Sequence, residues 1–138
     1  MARYSQGFRT SGVANAVAEL IAGAGSRSRL VELGLMINAQ TLTPVGLGYP
    51  AAIGLVPTTP VTLLSESDNS TIAVTSALAW GTPPTQPTYF YRRATLGLGS
   101  DEIVWTFDKG LLLLPATSLV IWLFATGSVL DGWWVVEQ

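Results

Sequence analysis

Gly110 to Gln138 reads GLLLLPATSLVIWLFATGSVLDGWWVVEQ, and from Gly110 to Leu130 it contains no charged residue. Such a run must be kept from water, either by a bilayer or by packed protein. Its length approaches the about 20 apolar residues that a membrane-spanning helix needs. Pro115-Ala116-Thr117-Ser118 interrupts it with a helix breaker followed by hydroxyl residues. That leaves two pieces of strand length, Leu111 to Leu114 and Leu119 to Phe124. Val120, Ile121, Trp122 and Phe124 all suit a pleated sheet. Lys109 alone precedes the run and Asp131 follows it, so the basic cluster that orients a spanning segment is missing. The stretch therefore predicts buried β-strands and no membrane partner. Leu119, Ile121 and Leu123 fall on one face, and Val120, Trp122 and Phe124 on the other. A strand apolar on both faces needs a second sheet or another subunit over each.

The neighbouring segments extend the same pattern. Tyr89 to Leu98 and Glu102 to Phe107 are predicted strands joined by a hairpin at Gly99-Ser100-Asp101, with the next turn at Asp108-Lys109-Gly110. In Arg29 to Ala39, Leu30, Glu32, Gly34 and Met36 alternate with Val31, Leu33, Leu35 and Ile37, and the Glu32 face is the less buried. Val13 to Ala22 fits a helical stripe and a strand equally. Pro44, Pro50, Pro57 and Pro60 restrict Val45 to Tyr49 and Ala51 to Val56 to short edge pieces. Thr71 to Trp80 is a further strand and Gly81 to Pro87 a loop. Turn residues recur at intervals of about 8 to 12 positions from residue 30 onward, the spacing of an all-β sandwich or barrel. The expectation is an all-β, single-domain antiparallel β-sandwich of jelly-roll type over residues 13–138. An extended N-terminal arm, residues 1–12, precedes it.

Composition points to contacts rather than chemistry. Of 138 residues 12% are charged and 49% hydrophobic, against about 25% charged in an ordinary domain. Little charge is left to keep copies apart, which implies a surface spent on other chains. A net charge of −2 with scattered basic residues gives nucleic acid no electrostatic footing. Histidine and cysteine are absent. The usual general bases, thiol nucleophiles and most transition-metal ligands are therefore missing, and no catalytic residue, cofactor or metal site is expected. Asp101 and Glu102 are neighbours on a strand start and point to opposite faces, unlike a glycosidase pair. Asp68-Asn69-Ser70 matches no full calcium loop. The candidate interface residues are Arg3, Tyr4, Phe8 and Arg9 of the arm, with Trp122, Trp133 and Trp134. Trp133 and Trp134 place one indole on each face of a strand: one for the core, the other a contact anchor or a sugar-stacking platform.

The chain resembles the small jelly-roll head decoration, or cement, proteins of tailed bacteriophages. The resemblance rests on Ala2-Arg3-Tyr4-Ser5 with Phe8-Arg9-Thr10, the apolar Leu30 to Ile37 strand, and Gly48-Tyr49-Pro50-Ala51-Ala52-Ile53-Gly54. It continues in Val104-Trp105-Thr106-Phe107, in Leu114-Pro115-Ala116-Thr117-Ser118-Leu119-Val120-Ile121-Trp122, and in Leu130-Asp131 before a terminal tryptophan strand. It implies a virion structural protein on the outer surface of the capsid. There a homo-oligomer, a trimer, clamps neighbouring major capsid proteins and the arm bridges subunits. Tail or tail-fibre proteins use similar sandwiches, and a carbohydrate-binding module is the other alternative.

Overall fold

β-branched and apolar residues, punctuated by proline and glycine, fold into twelve strands in a computed structural model that describes residues 2–25, 27–39, 41–68 and 70–138. Met1, in the expected arm, and Asn69, in the calcium reading, lie outside the described residues; Asp68 caps its own turn by accepting from the Ser70 N–H at 3.0 Å. The strands are β1 (Arg3–Arg9), β2 (Asn15–Ala22), β3 (Ser28–Ala39), β4 (Thr43–Gly48), β5 (Leu55–Pro57) and β6 (Val61–Ser65). There follow β7 (Thr71–Ala77), β8 (Trp80–Thr82), β9 (Arg92–Leu96), β10 (Gly99–Leu113), β11 (Ser118–Leu123) and β12 (Asp131–Glu137).

Their pairing is nested. β1 pairs with β12, β2 with β11, β3 with β10, β4 with β9, β5 with β8 and β6 with β7, all antiparallel. The chain is thus one long hairpin wrapped over itself, which is the jelly-roll construction. Ten strands form a sheet in the order β10-β3-β12-β1-β6-β7-β2-β11-β4-β9, and β5 with β8 form a separate pair. β1 and β6 share only two residue pairs, Tyr4 with Ser65 and Ser5 with Leu64, and there the sheet folds into two layers.

One core fills the space between the layers. Leu33, Leu35 and Trp134 come from one side, and Leu20, Leu47, Leu119, Ile121 and Leu123 from the other, all with no exposed surface. The Trp134 indole N–H crosses the core to Ser76 Oγ at 3.3 Å. At the far side Tyr91 meets Phe107 edge-on, with ring centroids 5.8 Å apart, and draws β9 toward β10.

The charge-free run carries strand on both sides of its proline and no helix: Leu111 to Leu113 end β10, Ser118 to Leu123 are β11, and Phe124 to Leu130 run on without regular structure. Leu114–Thr117 is a reverse turn, closed by the Thr117 N–H to the Leu114 carbonyl at 3.1 Å, with Ala116 at φ +60°. No helix among the described residues is long and apolar enough to cross a membrane.

Four local expectations are corrected. Residues 3–9 do not project as a separate arm: β1 pairs with β12 along its whole length and with β6 at one end, because Tyr4 and Phe8 are drawn onto the core. Gly99-Ser100-Asp101 makes no hairpin, since β9 and β10 stand at opposite edges of the sheet. Asp108-Lys109-Gly110 does not reverse the chain; β10 continues through it, and the register slips between Thr106 and Leu111. Opposite that slip, Val31 is skipped in the pairing of β3 with β12, so Leu30 changes face and enters the core.

Candidate interaction surfaces

The outer face of β11 holds Val120 and Trp122, both fully buried although neither belongs to the central core. They are covered from within the chain. Phe90 stands edge-on to Trp122 and to Phe124, at centroid distances of 5.4 and 4.9 Å, and the Tyr91 N–H donates to the Leu47 carbonyl at 2.7 Å. Glycine makes this approach possible: a Cβ on Gly46 would lie 2.6 Å from the Phe124 ring. Full burial of an indole is worth about 3 kcal/mol, so this cover contributes to stability on the scale of a core residue.

The rest of the cover is a flap, residues 49–60 and 78–91, that carries β5 and β8. Its two halves are tied by the Ala51 N–H to the Thr85 carbonyl and the Thr85 N–H to the Ala52 carbonyl, both 2.9 Å, and by the Thr58 N–H to the Ala79 carbonyl at 2.8 Å. Tyr49 Oη donates to the Leu112 carbonyl at 2.8 Å, and burial pushes this phenol above its ordinary pKa. Glu19 of β2 makes the decisive attachment. Its carboxyl group is wholly buried on this outer face and accepts from Ser118 Oγ at 2.7 Å, the Gly54 N–H at 3.1 Å and the Trp80 indole N–H at 2.9 Å. Three neutral donors satisfy the group, and the flap supplies two of them.

The flap's free side is apolar. Val56 is 76% exposed, Tyr89 86% and Leu55 55%. No charged residue occurs in residues 49–60 or 78–91. Val56 also sits at φ +51°, a left-handed conformation that a β-branched side chain strongly disfavours. A strained, exposed aliphatic residue in a segment without charged side chains is a feature that folding alone does not require. Exposed apolar side chains also stand on three further loops, at Val13, Leu42 and Val129. The Gly127 N–H to the Gly12 carbonyl, 2.8 Å, and Thr43 Oγ1 to Ser128 Oγ, 3.0 Å, hold those loops together.

Charge collects instead on the outer face of the layer β10-β3-β12-β1. Arg3 Nε meets Glu137 at 2.9 Å. Arg9 grips Asp131 with two bonds of 2.6 and 3.0 Å. The hydrogen bond from Arg9 holds the Asp131 carboxyl below the usual carboxylate range. Between these pairs the Trp133 ring lies over Gly34, where a Cβ would come within 2.2 Å of it, and its indole N–H donates to Glu32 at 2.7 Å.

The residues singled out in the sequence therefore separate. Tyr4, Trp122 and Trp134 are buried inside their own chain and offer nothing to a partner. Phe8 packs on Trp134 with centroids 4.8 Å apart. Arg3, Arg9 and Trp133 share one outer face, with both arginines already engaged. The flap residues were missed. Their signal was the absence of charge combined with repeated proline, and Glu19 was marked only by being a lone acid in an apolar strand. Among the described residues no three acidic side chains converge as a metal site would require. Comparisons with protein-family models, curated proteins and solved structures found no match.

Proposed function

We propose that this chain is a non-enzymatic structural protein of a virion, a decoration protein seated on the outer surface of a phage head. In this reading it is a homotrimer that ties neighbouring major capsid proteins together. The supporting observation is the flap: an uncharged apolar surface, held rigidly from beneath by Glu19, with its most exposed aliphatic residue in a strained backbone. A surface of this kind gains most when covered by another protein. Repetition at symmetry-related positions turns a modest contact into durable attachment. The opposite face, with its fixed ion pairs, suits exposure to solvent.

Val56→Asp tests the reading without touching the core. Light scattering is expected to give a trimer for the wild type and a monomer for the variant, with unchanged circular dichroism. Purified particles are expected to contain the wild-type protein in fixed ratio to the shell protein and to lose the variant. A wild-type monomer at high concentration would overturn the trimer, and electron microscopy that places the protein on the tail would overturn the location. The removal of residues 1–12 is unsuitable as a test, because it takes a paired strand out of the sheet.

A further inference from the structure

Trp133 stands between two glycines on the outer face of its layer. Across the sheet its row reads Gly7, Trp133, Gly34 and Val104, set by the pairing of β1, β12, β3 and β10. A Cβ on Gly34 would lie 2.2 Å from Cζ2 of the indole and 2.3 Å from both Cε2 and Cη2. Near-equal distances to three successive ring atoms put that point beneath the face of the ring, not at its edge. The indole therefore lies flat on Gly34, and its other face looks away from the sheet. Among the described residues no aromatic ring and no guanidinium packs on that face.

The ring's surroundings are electronegative. Its N–H donates to Glu32 Oε1 at 2.7 Å, and donation to a carboxylate polarises the indole toward greater electron density. Glu32 Oε2 has no bonded partner among the described residues. One row away on one side, a hollow of about 360 Å³ is lined in part by Met36, Glu102 and Asp131. On the other side a hollow of about 220 Å³ is lined in part by Glu32, Thr106 and Asp108. The bases beside them are engaged, Arg3 with Glu137 and Arg9 with Asp131. Glu102 and Asp108 are exposed and form no ion pair among the described residues. An aromatic face with negative charge on both flanks attracts a cation. Of the cationic side chains guanidinium is the planar one, able to stack on an indole while its edge N–H groups reach a carboxylate.

We propose that Trp133 is a stacking platform for an arginine side chain carried by an extended segment of a partner protein. The guanidinium would lie on the open face of the indole and donate to Glu32 Oε2. The two hollows lie in line with the ring along the strands, so the occupant is longer than a single residue. Alternate side chains of an extended segment repeat at about 7 Å, the spacing of the rows beneath, which brings further bases over Glu102 and Asp108. No residue of the flap lines either hollow, and failure of one reading leaves the other standing.

Two peptides test the site: acetyl-Arg-Gly-Arg-Gly-Arg amide and the same peptide with citrulline at its centre, which keeps the planar shape and removes the charge. Calorimetry gives the affinities. The indole N–H resonance of Trp133, assigned by its absence from Trp133→Leu, gives the location. The arginine peptide is expected to move that resonance and to bind about fivefold more tightly than the citrulline peptide, the worth of one exposed cation–π contact. Gly34→Ala turns the ring off the sheet with every charge retained, and is expected to abolish the difference; Trp133→Leu, a change on the outer face, is expected to do the same. Equal affinity of wild type for the two peptides, or an unmoved Trp133 resonance, overturns the proposal. Ethylguanidinium binding as tightly as the arginine peptide would assign the platform to a small free cation. Movement of the resonance when the wild-type protein alone is concentrated would assign it to a sister chain. Either result overturns the choice of partner.

Discussion

Removing the Glu19 carboxyl group should free the flap and unsettle the sheet beneath it. Glu19→Ala leaves the buried Gly54 N–H and Ser118 hydroxyl and the half-buried Trp80 indole N–H without their acceptor. Each buried orphan costs about 1–3 kcal/mol, and partial relaxation keeps the sum below simple addition. A loss of about 3–5 kcal/mol is expected, a large share of the about 5–15 kcal/mol that holds a domain folded. Glu19→Gln is milder and more informative. Its carbonyl can serve Ser118 and Gly54 in place of Oε2, but its amide N–H₂ then confronts the Trp80 N–H, donor against donor. That variant should lose about 1–3 kcal/mol, and adding Trp80→Phe should recover part of the loss. Urea unfolding followed by circular dichroism gives the energies, and amide exchange at Gly54 reports on the flap itself. A Glu19→Ala protein within about 1 kcal/mol of wild type, with Gly54 exchange unaltered, would refute the attachment.

Three further outcomes are expected. Gly34→Ala puts a methyl group where the Trp133 ring lies, so the ring must turn off the sheet and release Glu32; tryptophan emission should shift to the red, with about 1–3 kcal/mol lost in chemical denaturation. Asp131 is held below its unfolded pKa by Arg9, so its contribution is present above the unfolded value, about 4, and disappears as pH falls through the lower folded value. Melting temperature should thus drop more steeply on acidification in wild type than in Asp131→Asn, measured by calorimetry across that range. Val56→Gly removes the strain at φ +51° while deleting few intramolecular contacts, so the monomer should gain about 1 kcal/mol in urea unfolding even as light scattering shows weaker association.

Much of this architecture was written locally. The two apolar faces of Leu119 to Leu123, split from Leu111 to Leu113 by Pro115, required cover on both sides, and both covers exist. What sequence could not decide was whose atoms supplied the outer one, since Phe90 lies far from β11 along the chain and meets Trp122 only in the fold. Bulges hid other faces. In β2 the register against β11 slips next to Val17, so Val17 and Ala18 are both buried, and the period of two blurs into something that also fits a helix. In β3 the skipped Val31 moved Leu30 to the core. Glu19 was legible as an oddity but not as an attachment, because its donors Gly54, Trp80 and Ser118 come from three separate stretches of chain.

The same prolines explain both the cover and the exposed surface. Nested pairing brings β5 and β8 together next after β4 and β9, the pair that ends one layer of the sheet. Continuing that ladder would need N–H groups that Pro50, Pro57, Pro60, Pro83, Pro84 and Pro87 do not have. The chain therefore leaves the sheet at residue 49, doubles back over the outer face of β11, and rejoins the ladder at β6. Once detached, the segment needs its own fastening, and Glu19 provides it from below. A two-stranded pair shields one side only, so its other side carries Leu55, Val56 and Tyr89 outward. The uncharged contact surface and the burial of Trp122 are thus two consequences of one interruption, and loosening the flap should disturb both together.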